Sequence, residues 1–229
     1  MGQADYQDAT GHRERMRTRL LNGGGDALLD VDSLEYLLAL AIPRKDVKPL
    51  ARYLLDEFGS YGRVISANNF ELARLEGMGP SAVAALRLVQ DAALRLLREE
   101  FENRPLISSW RAVLDYVRAA MGYMMIENFR VLFINNRNIL IRDEVMSEGT
   151  VDRAAVYPRE ILKRALELGA TAVALAHNHP SGDITPSRED IDLTVKIETA
   201  GRPLGVRVHD HVIVSHGHHV SFRALGLMH

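Results

Sequence analysis

Residues 171–201 read TAVALAHNHPSGDITPSREDIDLTVKIETAG. Thr171 to Ala176 is a short apolar run that reads as a strand, and Pro186-Ser187 opens a helix expected to reach about Thr199, where Gly201 ends it. A strand, a polar loop and a helix in immediate succession predict an α/β unit. The polar residues then emerge at a strand end, where open α/β sheets place their sites. His177 and His179 are two apart, a spacing that in extended backbone aims both imidazoles to one side. The loop between them and the helix is rich in Pro, Gly and Ser and can fold back, so that Asp190, in the first helical turn, supplies an oxygen ligand. Three protein ligands leave a fourth tetrahedral position for water. That open position separates a catalytic zinc from a structural one, because bound water can drop to a pKa of about 7. The plainer alternative uses the same residues: Ser187-x-x-Asp190 is an ordinary capping box, and the two histidines are loop residues.

Working outward, Phe129 to Ile134, Asn138 to Val145 and Val206 to Val214 are further runs rich in β-branched residues that read as strands. Pro158 begins a helix from Arg159 to Leu168, ended by Gly169, and Ser108 or Ser109 can cap another from Trp110 to about Ala120. Upstream the period changes. Leu34, Leu37, Leu38 and Ala41, and then Leu86, Val89, Ala93, Leu96 and Leu97, recur at threes and fours, which predicts short amphipathic helices. Asp32 or Ser33 can cap the first of these, and Pro49 is tolerated early in a helix spanning Asp46 to Phe58. The expected architecture is α+β/α/β: an all-helical domain over residues 1–104, Arg104-Pro105 as linker, and a second domain over 105–229.

The chain has 229 residues, 47% hydrophobic and 25% charged, which excludes a disordered or fibrous class. Its formal net charge of -2 provides no global field to hold a polyanion, so any nucleic-acid contact must be local. Without cysteine there is no disulfide framework and no thiol nucleophile, and a metal must be held by His and carboxylate. The start, MGQADYQDAT, lacks the basic and apolar regions of a signal peptide, and no apolar run approaches a membrane span. The expectation is a cytoplasmic protein with no membrane partner. Only His12 lies in the first half, while the other histidines fall between His177 and His229.

HNHPSGDITPSRED resembles the JAMM (MPN+) metalloprotease motif, with His177, His179, Ser187 and Asp190 at matching positions. VYPREILKRAL and LAHNHPSGD resemble the RadC family in particular, and the likeness extends from GHRERMRTRLL to VHDHVIVS. The resemblance implies a JAMM/MPN-type, cytidine-deaminase-like mixed-sheet domain after the helical one. It implies Zn2+ held by His177, His179 and Asp190. It also implies a general-base glutamate at the start of the domain's first strand, where Glu127 fits and Glu144 and Glu148 are rivals. Ser187 then resembles the family serine that hydrogen-bonds the developing oxyanion. The function implied is a zinc metalloprotease acting on a protein or peptide substrate, at a peptide or isopeptide bond.

Two other features compete for attention. His209, His211, His216, His218 and His219 could form a second site, but Val206, Val208, Val212 and Val214 frame a strand and residues 215–218 read as a hairpin turn. His209 and His211 are expected to share a face, from which one could orient a zinc ligand by a hydrogen bond. Leu75 to Val83 resembles a helix-hairpin-helix, whose Gly77-Met78-Gly79 turn offers weak DNA contact through free amides, although Pro80 lacks one donor. His12 to Arg19 could assist it, or be a solvated face with Glu14 paired to an arginine. The alternative function is accordingly a DNA-associated protein, an accessory of repair or recombination.

Overall fold

The computed structural model describes residues 3–106, 108–149 and 156–228. The chain divides into two compact units, residues 1–91 and 92–229. The division falls inside a helix, upstream of the expected linker at Arg104-Pro105. Phe101 and Leu106 are the reason: both are buried in the core of the second unit, with Leu94 and Leu97 packed against it.

The first unit holds α1 (Gln3–Gly23), α2 (Asp30–Ala41), α3 (Lys48–Phe58), α4 (Tyr61–Ser66), α5 (Asn69–Ala73) and the first part of α6 (Pro80–Glu99). Its core gathers Leu34, Leu38, Ala51, Leu54, Val64, Leu72, Ala82 and Leu86, residues that recur on helical faces as the periodicity requires. α2 starts at Asp30, earlier than the expected caps Asp32 and Ser33, and Leu29 at its N-cap supplies no side-chain bond. Asp30 and Asp32 instead lie in the first turn, where negative charge meets the positive end of the helix dipole. Arg17 pairs with Glu14 at 3.3 Å, Arg19 with Asp32 at 3.3 Å, and Arg13 Nη2 donates to the Lys45 carbonyl at 2.6 Å. Three of the four arginines of this basic run are thus engaged within their own unit. At the α5–α6 turn, Gly77 takes φ 88°, and the amides of Ala82 and Val83 already donate to the Gly79 carbonyl.

The second unit contains α7 (Trp110–Met121), β1 (Glu127–Ile134), β2 (Leu140–Gly149), α8 (Pro158–Glu167), β3 (Ala172–Asn178), α9 (Arg188–Gly201), β4 (Arg207–Ser215) and β5 (His218–Ser221). Ser109 does stand at the α7 N-cap, but no helix amide reaches its side chain; the Ser108 and Ser109 hydroxyls both donate to the Pro105 carbonyl. The sheet order is β2-β1-β3-β4-β5, with β3 and β4 parallel and the other pairs antiparallel. A mixed sheet with helices on both faces agrees with the α+β/α/β expectation. Central β3 is buried along its whole length, as an apolar run without alternation demands. Ala172, Ala174 and Ala176 face the core built with Val113, Tyr116 and Val117 of α7, while Val173 and Leu175 face Ile161 of α8 and Ile197 of α9. Burying each of the larger side chains stabilises by roughly 1.5–3 kcal/mol. The α7 side also holds a polar clasp. Arg130 Nη1 lies 2.6 Å from Asp143 Oδ2, the Tyr116 hydroxyl donates to the same oxygen, and burial followed by the Asp143 charge pushes that phenol up. No described helix is long and apolar enough to cross a membrane.

α9 returns the chain from β3 to β4, and its C-terminal end fits closely. A Cβ at Gly201 would lie 2.4 Å from the Val206 carbonyl oxygen, so backbone rather than a movable side chain would have to shift. Gly201→Ala is expected to cost about 1–3 kcal/mol of stability, read from urea unfolding.

Candidate metal centre

His177 and Asn178 are the last residues of β3, and His179 follows with its amide donating to the Val214 carbonyl at 3.1 Å. Gly182 takes φ 90° and donates to the His179 carbonyl, turning the loop back toward the sheet. The loop ends at Ser187, the N-cap of α9. Its hydroxyl accepts from the Asp190 amide at 3.1 Å, and its own amide donates to Asp190 Oδ2 at 2.9 Å, a complete capping box. The Ser187 hydroxyl also donates to Asp190 Oδ2 at 2.6 Å. The capping box and the metal-ligand reading are therefore one arrangement. By holding Oδ2, the box leaves Oδ1 facing His177.

The three expected ligands converge. His177 Nε2 lies 3.0 Å from His179 Nε2 and 3.3 Å from Asp190 Oδ1, and His179 Nε2 lies 3.8 Å from Asp190 Oδ2. Ligands at zinc bond lengths around a tetrahedron stand about 3.3 Å apart. Nitrogen, nitrogen and oxygen donors at these separations fit a divalent ion of zinc type. Among the described residues no other set of three His, Asp or Glu converges in this way. His177 is buried, while the side chains of His179 and Asp190 are 19% and 16% exposed, so one side of the group meets solvent.

The outer nitrogens are engaged as well. His179 Nδ1 lies 2.5 Å from the Asp183 carbonyl, which can only accept, so Nδ1 carries the proton and Nε2 presents a lone pair to the site. His177 Nδ1 lies 2.8 Å from Nε2 of the fully buried His211. Burial holds His211 well below the ordinary histidine range. Burial works to raise the Asp190 carboxyl, and the Ser187 hydroxyl and amide bonded to Oδ2 work against it.

The remaining expectations divide. Glu127 is exposed at the first position of β1. Strand alternation puts it on the face of Phe129, which sits opposite His177 and stacks on its ring with centroids 6.0 Å apart. Glu148 pairs with Asn128, on the other face. Glu144 is bound by Arg164 at 2.7 Å, and that hydrogen bond holds its carboxyl down against slight burial. His209 and His211 do not share a face. The β3–β4 register shifts where Val173 and Ala174 meet Val208 and Asp210, so His209 turns its ring to Trp110 of α7 and His211 reaches α9. His216, His218 and His219 are exposed in and after the turn, and His229 lies outside the described residues.

Two participants were not anticipated. Thr194, one helical turn after Asp190, bonds both His211 and the Asp190 carbonyl at 2.6 Å. Asn178, the middle letter of HNH, accepts from the Asn128 amide at 2.8 Å and donates to the Ile126 and Met124 carbonyls at 3.1 and 3.2 Å. It grips the backbone on both sides of Glu127. The i, i+4 spacing of Thr194 from Asp190 was a usable signal; Asn178 offered none.

A helical region followed by a mixed sheet with a His-x-His and helix-borne Asp centre defines a protein of the JAB/MPN-like class. Residues 107–227 match the RadC-like JAB domain family. A UPF0758 protein of Rhodobacter capsulatus is 50% identical over 213 residues, covering 93% of this chain and 100% of the relative. Another, of Ruegeria pomeroyi, is 48% identical over 217 residues, covering 95% of this chain and 97% of the relative. The chain belongs to the RadC (UPF0758) family.

Asn178→Ala leaves the Asn128 amide and two carbonyls without their partner in a buried setting, and a loss of roughly 2–3 kcal/mol is expected in urea unfolding. Glu144→Gln is expected to lower the melting temperature at neutral pH. Because the folded carboxyl titrates below its unfolded value, this difference should close as pH falls below the ordinary Glu pKa of about 4.3.

Proposed function

We propose that this RadC-family protein is a zinc-dependent hydrolase of the JAMM type, cleaving a peptide or isopeptide bond. The observation that carries this reading is the meeting of the two imidazole Nε2 atoms, 3.0 Å apart, beside the Asp190 carboxylate, with one side open to solvent. Zinc bound there supplies a Lewis acid that polarises a scissile carbonyl and brings the pKa of water toward neutrality. His177, His179 and Asp190 hold it, and their combined charge leaves the site cationic.

Glu127 serves as the general base that accepts a proton from the attacking water and passes it to the leaving amine. Its support is the shared face with His177 and the Asn178 clamp around it. Both rivals are less suited, Glu144 through its pairing to Arg164 and Glu148 through its face. Ser187 acts first as the support of Asp190, since its proton is directed to Oδ2. Its use as an oxyanion donor requires that hydroxyl to turn from the carboxylate to the substrate. DNA association has less in its favour, because Arg13, Arg17 and Arg19 and the Ala82 and Val83 amides of α6 have partners within their own unit.

Protein purified from zinc-supplemented cells is expected to carry one zinc per chain by elemental analysis, and His177→Ala to lose it. Glu127→Gln should keep the metal while hydrolysis of a fluorogenic peptide and isopeptide panel falls about 10²–10⁴-fold. A His177→Ala variant as fully loaded as the parent would refute the centre, and undiminished hydrolysis by Glu127→Gln would refute the base.

A further inference from the structure

His177 is a useful ligand only if its Nε2 carries no proton, and nothing at the exposed mouth enforces this. The buried side does. Thr194 Oγ1 lies 2.6 Å from the Asp190 carbonyl oxygen and 2.6 Å from His211 Nδ1. A carbonyl can only accept, so the single hydroxyl proton of Thr194 goes to Asp190. The hydroxyl must then accept from His211, whose one N–H is therefore at Nδ1. His211 Nε2 is left as an acceptor and takes the proton of His177 Nδ1, 2.8 Å away. His177 Nε2 consequently faces the site as a lone pair.

We propose that Thr194 and His211 are positioning residues of the centre: a directional hydrogen-bond relay, started by a helix carbonyl, that sets the tautomer and ring orientation of His177. The proposal rests on the metal-centre reading above and adds to it the residues that prepare the ligand. Thr194 and His211 are fully buried, so water does not compete for the relay's bonds. Phe222 packs on the His211 ring at 4.4 Å and Phe129 meets its edge at 5.5 Å, leaving it little freedom to turn. The relay also closes a loop through the fold. It runs from β3 at His177 through β4 at His211 to α9 at Thr194, and ends on the backbone of Asp190, itself a ligand. The bonds that fix the tautomer thus also hold the carboxylate-bearing helix against the histidine-bearing strand. A second carbonyl, that of Asp183, performs the same service for His179 directly.

The test uses the full chain and its Thr194→Val and Thr194→Ser variants. Valine keeps nearly the same shape without the hydroxyl; serine restores it. Zinc affinity is measured by competition with a chromophoric chelator, and imidazole nitrogen NMR of zinc-loaded and metal-free protein reports which ring nitrogen of each histidine bears hydrogen. The expected result is an affinity about 10–100-fold weaker for Thr194→Val, with recovery to within a few-fold of the parent in Thr194→Ser. In the parent, His211 is expected to carry its proton at Nδ1. Parent and Thr194→Val binding zinc equally, or a His211 proton at Nε2 in the parent, would overturn the relay. Should the parent bind no zinc, the metal-centre reading fails by itself, and the metal-free spectrum still decides the relay. The same spectrum decides it if Thr194→Val does not fold.

Discussion

Two imidazole lone pairs pointing at each other across 3.0 Å, beside a carboxylate, are an unstable arrangement unless something positive lies among them. The rest of the sheet domain is organised to hold that arrangement in place. Each histidine has its outer nitrogen committed to an acceptor, the Asp183 carbonyl for His179 and His211 for His177. The carboxylate has one oxygen held by both the amide and the hydroxyl of Ser187. None of the donors can relax away without leaving a polar group unpaired in partly buried surroundings, which costs about 1–3 kcal/mol each. A site so constrained keeps its nitrogen and oxygen donors at fixed separations.

The scaffold explains why the constraint holds. β3 is the central strand and is buried on both faces, so its end is among the least mobile points of the sheet. α9 is fixed at one end by the capping box and at the other by the close approach of Gly201 to Val206, and between them Thr194 ties it to β4 through His211. Ligands carried on a strand end and a helix start therefore have their separation set by packing rather than by the loop between them. The loop can then be polar and exposed without loosening the centre.

Much of this was legible in the chain itself. The apolar run before His177, the Pro-Ser at 186–187 and the spacing of His177, His179, Ser187 and Asp190 are local patterns, and local patterns survive because strand alternation and helix capping act within a few residues. Helix starts were less legible. Asp32 and Ser33, the expected caps of α2, lie inside the helix, and Ser109 stands at the α7 cap without capping it: its hydroxyl donates to the Pro105 carbonyl and no helix amide donates to its oxygen. Around the expected boundary near residue 104, Phe101 and Leu106 look like linker neighbours until the sheet core that buries them exists.

The amino-acid order alone determined which residues could be ligands, that they sit where a strand gives way to a helix, and that a carboxylate would begin that helix. Only the tertiary structure decided that His211 rather than His209 backs His177, because a register shift between two strands reverses the alternation expected from spacing. It likewise decided that Asn178 grips both sides of Glu127 and that Thr194 completes the relay. These pairings join residues 17 to 54 positions apart, and such contacts follow from how sheet and helices stack, which no local pattern encodes.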